Sequence, residues 1–220
     1  MNENNTQPRS ADLEDDKKLS KTIDQLLSQF KENKKNMEYI RPQMLPGIDL
    51  YMDQVTTFME QHLGGTKRYP QDKILTKTMI NNYAKNDLLP PPVKKKYSKD
   101  HLLFLTMIYY LKNLLSMSDI KTLMTPVREI SEDNSSACSL EDVYSKVFEK
   151  AEGMQRDLLD EIDRDYRQSR GTFEDKEDLD DFTFVCMLCY DIFIKKQLVE
   201  QIIDVMSFRE GVPVDDKKHK

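Results

Sequence analysis

Pro90, Pro91 and Pro92 stand in a row, and no helix can run through them, because each ring clashes with the preceding turn and none offers an amide hydrogen. Helical periodicity resumes on both sides. Before them, Met79, Ile80 and Tyr83 fall on one side of a short segment whose other side carries Lys77, Thr78, Asn81, Asn82 and Lys85. After them come Lys94, Lys95 and Lys96, and then a segment from about Lys99 to Leu115 that is apolar around most of its circumference. A helix with a polar outer face, a stiff basic loop and a core helix, in that order, outline a winged helix-turn-helix.

The flanking residues fit that plan. A helix is predicted from about Leu50 to Leu63, with Met52, Val55, Phe58, Met59 and Leu63 on one face, stopped by Gly64 and Gly65. The connection from Gly64 to Ile74 is longer than the tight turn such a motif usually has. It reads as a loop or small hairpin, and its Lys67, Arg68 and Lys73 either touch phosphates or are simply solvated. Thr76 is the predicted N-cap of the polar-faced helix. Asn86 and Asp87 signal a turn, Leu88 and Leu89 return the chain to the core, and Ser98 caps the apolar helix. A last short helix is expected after Ser116 or Ser118, with Asp119 in its first turn and Pro126 closing it.

Charge separates the chain into parts. Residues 66–128 carry 12 Lys and Arg against 4 Asp and Glu, whereas residues 129–220 carry 13 against 24. A basic middle inside a chain of net charge -6 marks residues 66–128 as the part suited to a polyanion.

Outside the middle, residues 1–18 lack periodicity and are expected to be a disordered acidic tail. Residues 19–47 contain one amphipathic helix, with Leu19, Ile23, Leu26, Leu27 and Phe30 at helical spacing, and an irregular connection at Pro42, Pro46 and Gly47. Residues 129–138 read as a flexible connector. Residues 139–207 read as two long amphipathic helices, the first running from Ser139 to about Tyr166 and the second from about Asp178 to Ser207. Their turn lies around Arg170 and Gly171, so they should form an antiparallel α-hairpin. Residues 208–220 are expected to be a flexible tail. The hairpin's apolar faces are too broad to cover each other, so some of that surface must meet the Leu19 helix, the basic domain or a second copy of the chain, and a two-fold homodimer is the preferred solution.

The run TMINNYAKNDLLPPPVKKKYSKDHLLFLTMIYYLKNLLSMSDIKTLM resembles the DNA-binding domain of MerR-type regulators. The shared features are a helix ending in tyrosine, a turn into Leu-Leu and proline, a basic wing, and a Tyr-Ser start to the next helix. More closely, the segments IDLYMDQVTTFME, LTKTMINNY and PPPVKKKYSKDHL resemble the bacterial family known as domain of unknown function 1836, itself similar to MerR-type winged helices. The resemblance spans about Ile48 to Met124. It implies a mainly α fold with a winged helix-turn-helix at residues 48–128, reading double-stranded DNA. Lys77, Thr78, Asn81, Asn82 and Lys85 become the recognition face and Lys94, Lys95 and Lys96 the wing, with Tyr83 and Tyr97 as phosphate contacts or wing supports. Asn81 and Asn82 stand where MerR-type helices commonly carry Arg-Tyr, so base preferences do not carry over. Dimerisation through helices after the wing is implied as well.

Other chemistry finds little support in the sequence. His62, His101 and His219 are scattered, no glycine-rich phosphate loop occurs, and only 6 glycines are present, so catalysis and cofactors are not expected. Cys186 and Cys189 could hold a metal or switch redox state, but they lie on an apolar helix face with only Cys138 as a third thiol. Packing is the favoured role for them, and no metal is expected. Three cysteines, no signal-peptide pattern and no apolar run long enough to span a membrane lead to an expected cytoplasmic location. The expected function is a sequence-specific DNA-binding transcription regulator, more readily a repressor. The alternative is a non-enzymatic adaptor that uses the same domain, with the acidic hairpin as its docking surface.

Overall fold

Every residue from His101 to Tyr109 is buried, as a helix that is apolar around most of its circumference requires. In the computed structural model this helix, Lys99–Leu111, is surrounded by other elements, and the chain is mainly helical. Residues 22–35, 39–133, 135, 137–174 and 176–209 are described. The expected tail at 1–18 and all but the first two residues of that at 208–220 lie outside them, and Phe208 and Arg209 are helical.

In chain order the elements are α1 (Ile23–Lys35), β1 (Leu50–Tyr51), α2 (Met52–Leu63), α3 (Lys77–Lys85), β2 (Lys96–Tyr97), α4 (Lys99–Leu111), α5 (Met117–Glu132), α6 (Leu140–Gly153), α7 (Gln155–Ser169) and α8 (Glu177–Arg209). A short 3-10 turn, Pro42–Met44, precedes β1, and another, Gly64–Thr66, follows α2. β1 and β2 pair antiparallel, Leu50 with Tyr97 and Tyr51 with Lys96.

The chain divides into two units. Among the described residues, the larger comprises 39–153 and the stretch from Cys189 to Arg209. Its core gathers Val55, Met59 and Leu63 of α2, Ile80 and Tyr83 of α3, the interior of α4, Ile120 and Met124 of α5, and Tyr144 of α6. The smaller, with residues 22–35 and 154–188 among those described, packs α1 on α7. There Lys31 Nζ meets Asp163 at 2.7 Å, and Tyr166 of α7 lies edge-on to Phe184 of α8 with ring centroids 5.1 Å apart. The turn between α7 and α8 is closed by Asp180, whose carboxylate accepts the amides of Gly171 at 2.7 Å and Phe173 at 3.1 Å. Gly171 needs its permissive backbone there, with φ 73°.

Several sequence expectations need correction. The helix predicted from Leu50 begins at Met52, because Leu50 and Tyr51 pair with β2, and the Gln54 side-chain oxygen takes the Tyr51 amide at 2.9 Å. Pro126 does not close α5 but sits inside it. The helix continues to Glu132 because Val127 packs against the core one turn beyond the buried Met124, and the Thr125 hydroxyl donates to the Lys121 carbonyl at 3.1 Å. The first hairpin helix is two helices, broken at Met154 after Gly153, a poor helix former.

The most consequential difference concerns α6. It is no part of a separate C-terminal domain, and residues 129–138 do not mark a boundary between units. Tyr144, fully buried, donates from its hydroxyl to the Ile40 carbonyl at 2.8 Å. Its ring lies 4.4 Å from Phe148, which stacks on Tyr39 at 5.4 Å and reaches Tyr110 of α4 at 5.3 Å. Lys99, at the start of α4, pairs with Glu141 in the first turn of α6 at 2.6 Å.

Among the described residues, no helix is long and apolar enough to cross a membrane.

Candidate nucleic-acid interface

Helix α3 is short and strictly two-sided. The Thr76 hydroxyl accepts the Met79 amide at 3.2 Å and so caps the start. Ile80 and Tyr83 point into the core, while Lys77, Thr78, Asn81, Asn82 and Lys85 are all exposed. The helix ends in a left-handed cap. Asp87 adopts φ 56°, the Leu88 amide reaches back to the Tyr83 carbonyl at 2.9 Å, and the Asp87 amide reaches the Ala84 carbonyl at 3.3 Å. Leu88 and Leu89, both buried, then anchor the chain before the prolines.

Asp87 holds this end in place. Its carboxylate accepts Lys121 Nζ of α5 at 3.0 Å, and its carbonyl accepts the Arg128 guanidinium. The Lys121 hydrogen bond and charge hold the Asp87 carboxyl below the usual carboxylate range.

Beyond the prolines the basic run forms a two-residue turn. The Lys96 amide donates to the Val93 carbonyl at 2.9 Å, and Val93 and Lys96 form an antiparallel bridge. The central residues Lys94 and Lys95 both lie in the left-handed region, with φ 51° and 63°. Glycine or asparagine would be the ordinary choice there, since a side chain crowds the following carbonyl. The turn therefore keeps two exposed ammonium groups at its tip at some cost in stability. Lys96, half-buried, lies over the Tyr51 ring with Nζ 5.5 Å from the centroid.

Tyr83 and Tyr97 are each only 4% exposed, and burial pushes both hydroxyls above their ordinary value. Neither ring lies on the outer face, so burial favours support over phosphate contact. Tyr97 pairs with Leu50 across the small sheet and meets the His101 ring edge-on at 5.5 Å. His101 in turn ties the hairpin to α4. Its Nδ1 accepts the Ser98 amide at 3.1 Å, so the neutral ring carries its hydrogen on Nε2. Nε2 is buried near the Pro90 and Pro91 carbonyls but makes no hydrogen bond. Burial pulls the ring's pKa below 6.5.

The long link after α2 is tied down rather than loose. Thr66 bonds to the Leu63 carbonyl at 2.7 Å and to the Tyr109 hydroxyl, Ile74 and Leu75 are buried, and Lys112 Nζ donates to the Ile74 carbonyl at 3.0 Å. Lys67 is engaged with Glu60, which lowers that carboxyl's pKa. Arg68 lies over Tyr69 at 5.2 Å.

Sequence reasoning missed Asp53 in the first turn of α2, which forms an ion pair with Lys77 and places a carboxylate beside the basic face. An acidic residue in a first helical turn ordinarily serves the helix dipole, so nothing in the sequence singled it out. Cys186 and Cys189 are exposed, contrary to the expected packing role, and Cys138 is partly buried. Among the described residues, no three His, Cys, Asp or Glu side chains gather as a metal site.

A mainly helical domain thus presents a short two-sided helix, the left-handed lysine turn and the two-stranded sheet that braces it. The model of the family described as "Domain of unknown function (DUF1836)" matches residues 40–147. The match runs into α6, in keeping with the place of Tyr144 in the same core. No curated protein and no solved structure gives a significant match to the chain.

Proposed function

We propose that this protein is a sequence-specific DNA-binding transcription regulator, with α2 and α3 as the helix-turn-helix and residues 93–96 as the wing of a MerR-like domain. The observation that carries the reading is the left-handed Lys94–Lys95 turn. Two lysines held in a conformation that disfavours them make sense where their charge is needed, and phosphate is what paired ammonium groups on a braced turn suit best. The exposed Asn81 and Asn82 on α3 supply side chains that can pair bidentately with adenine in the major groove, and Lys77, Thr78 and Lys85 lie around them. Two copies acting together would read paired half-sites about 34 to 36 Å apart. Repression is the simpler output, since the described elements include no separate polymerase-contacting module.

The ion pair between Lys77 and Asp53 favours a second reading, in which the same surface meets a protein, because an exposed carboxylate beside the face repels phosphate. Selection of genomic fragments on the full chain, followed by footprinting, separates the two. A discrete protected site, two-fold symmetric, supports the regulator, and weak unspecific binding that vanishes with salt supports the adaptor.

A further inference from the structure

The two-stranded sheet has an inner and an outer side. Successive residues of a strand point to opposite faces, so the paired Leu50 and Tyr97 turn inward and are buried, while the next pair, Tyr51 and Lys96, turns outward. Tyr51 is 54% exposed, and Lys96 lies over its ring with Nζ 5.5 Å from the centroid. Tyr51 also stands immediately before α2, where the Gln54 side-chain oxygen takes its amide at 2.9 Å. Two residues further on, Asp53 forms the ion pair with Lys77 of α3. Tyr51 is thus tied to the lysine turn through Lys96 and, through the first turn of α2, to the polar-faced helix.

We propose that Tyr51 is a DNA contact of this domain, its hydroxyl donating to a backbone phosphate beside the one met by the lysine turn. The inference rests on the DNA reading above and adds to it a contact that carries no charge. An exposed tyrosine by itself is ordinary surface. Tyr51 is set apart by its register with Lys96, the residue that closes the Lys94–Lys95 turn. A phenol suits that place, because its hydroxyl can donate to phosphate while its ring rests on the sugar. The lysine over the ring restrains both side chains before DNA arrives, so little rotamer freedom is left to lose on binding. Asp53 would repel a phosphate nearby, but Lys77 offsets its charge. Tyr83 and Tyr97, being buried, cannot serve in this way.

The test uses the full chain and a duplex recovered by the fragment selection described above. Tyr51→Phe removes the hydroxyl and keeps the ring under Lys96, so the variant should melt like the unaltered chain. Its affinity for the duplex should fall roughly tenfold, the effect of losing one hydrogen bond to a charged acceptor. A phenol releases no counterion, so the slope of log affinity against log salt should stay as it is, unlike that of variants lacking the wing lysines. The sequence contains no tryptophan, so Tyr51→Trp introduces a single reporter whose emission should change saturably as duplex is added. Unchanged affinity of Tyr51→Phe, a salt slope that falls with it, or tryptophan emission indifferent to bound duplex would overturn the proposal. Duplex binding that ignores both changes would defeat this inference and leave the DNA reading standing. An unaltered chain that protects no duplex would defeat that reading and this inference with it.

Discussion

Lys94 and Lys95 occupy both central positions of the turn that the Lys96 amide closes on the Val93 carbonyl at 2.9 Å, and both are left-handed. Stability and charge are in conflict at these two residues. Replacing them by Asn and Gly, which favour this backbone, should raise stability by about 1 kcal/mol, seen as a higher melting temperature. The same variant should bind duplex DNA more weakly at low salt. A variant that is more stable and binds as well as the original would show that the lysines are not there for their charge.

A second left-handed residue, Asp87, ends α3. Asp87→Gly relieves the backbone but gives up the ion pair with Lys121, an exposed contact of small worth, so melting should change little. Asp87→Val, β-branched at positive φ, should cost roughly 1 to 2 kcal/mol. Comparing the two melts separates backbone strain from charge.

Tyr144 tests whether α6 is part of the basic domain. Tyr144→Phe leaves the buried Ile40 carbonyl without its donor and should cost about 1 kcal/mol in denaturant unfolding. Tyr144→Ala opens a cavity beside Tyr39 and Phe148 and should cost roughly 3 to 5 kcal/mol. A chain cut after Glu132 should fail to fold cooperatively. If it melts like the intact protein, α6 is dispensable to this core.

His101 gives the fold a pH dependence of known sign. Its pKa is lowered in the folded state by burial, so the unfolded chain binds the proton first. Stability should therefore be intact above 6.5 and decline as pH falls from 6.5 toward the depressed folded value. The slope contributed cannot exceed about 1.4 kcal/mol per pH unit for one group. Urea unfolding at stepped pH checks this, and His101→Gln should flatten that part of the profile. Loss at lower pH that persists in the variant belongs to Glu60, Asp87, Asp133, Asp142 and Asp180, whose pKa values are all depressed.

The local elements were legible in the sequence, and the long-range ones were not. Ile80 and Tyr83 against Asn81 and Asn82 define the two sides of α3 by spacing alone, and Pro90 to Pro92 isolate the basic turn whatever surrounds it. β1 escaped notice because Leu50 and Tyr51 are strand only by pairing with Lys96 and Tyr97, far along the chain. The place of α6 was hidden for the same reason, since the bond between Tyr144 and Ile40 spans 104 positions. Pro126 misled because a proline predicts an ending, while Met124 and Val127 on the core side hold the helix together beyond it. The candidate site was legible as a set of residues. Burial keeps Tyr83 on the inner side that its spacing indicates and puts Tyr97 inside as well, and the ion pair with Lys77 brings Asp53 beside the outward face.

The central claim concerns charge on a braced turn, and the salt dependence of DNA binding tests it most directly. Affinity of the full chain for a selected duplex should be measured across salt concentrations, with and without Lys94→Ala, Lys95→Ala and Lys96→Ala together. The slope of log affinity against log salt is expected to shrink by about 0.9 for each phosphate that is no longer neutralised, so by roughly two to three in all, with weaker binding to every duplex tested. An unchanged affinity and an unchanged slope would contradict the DNA-binding role of this turn.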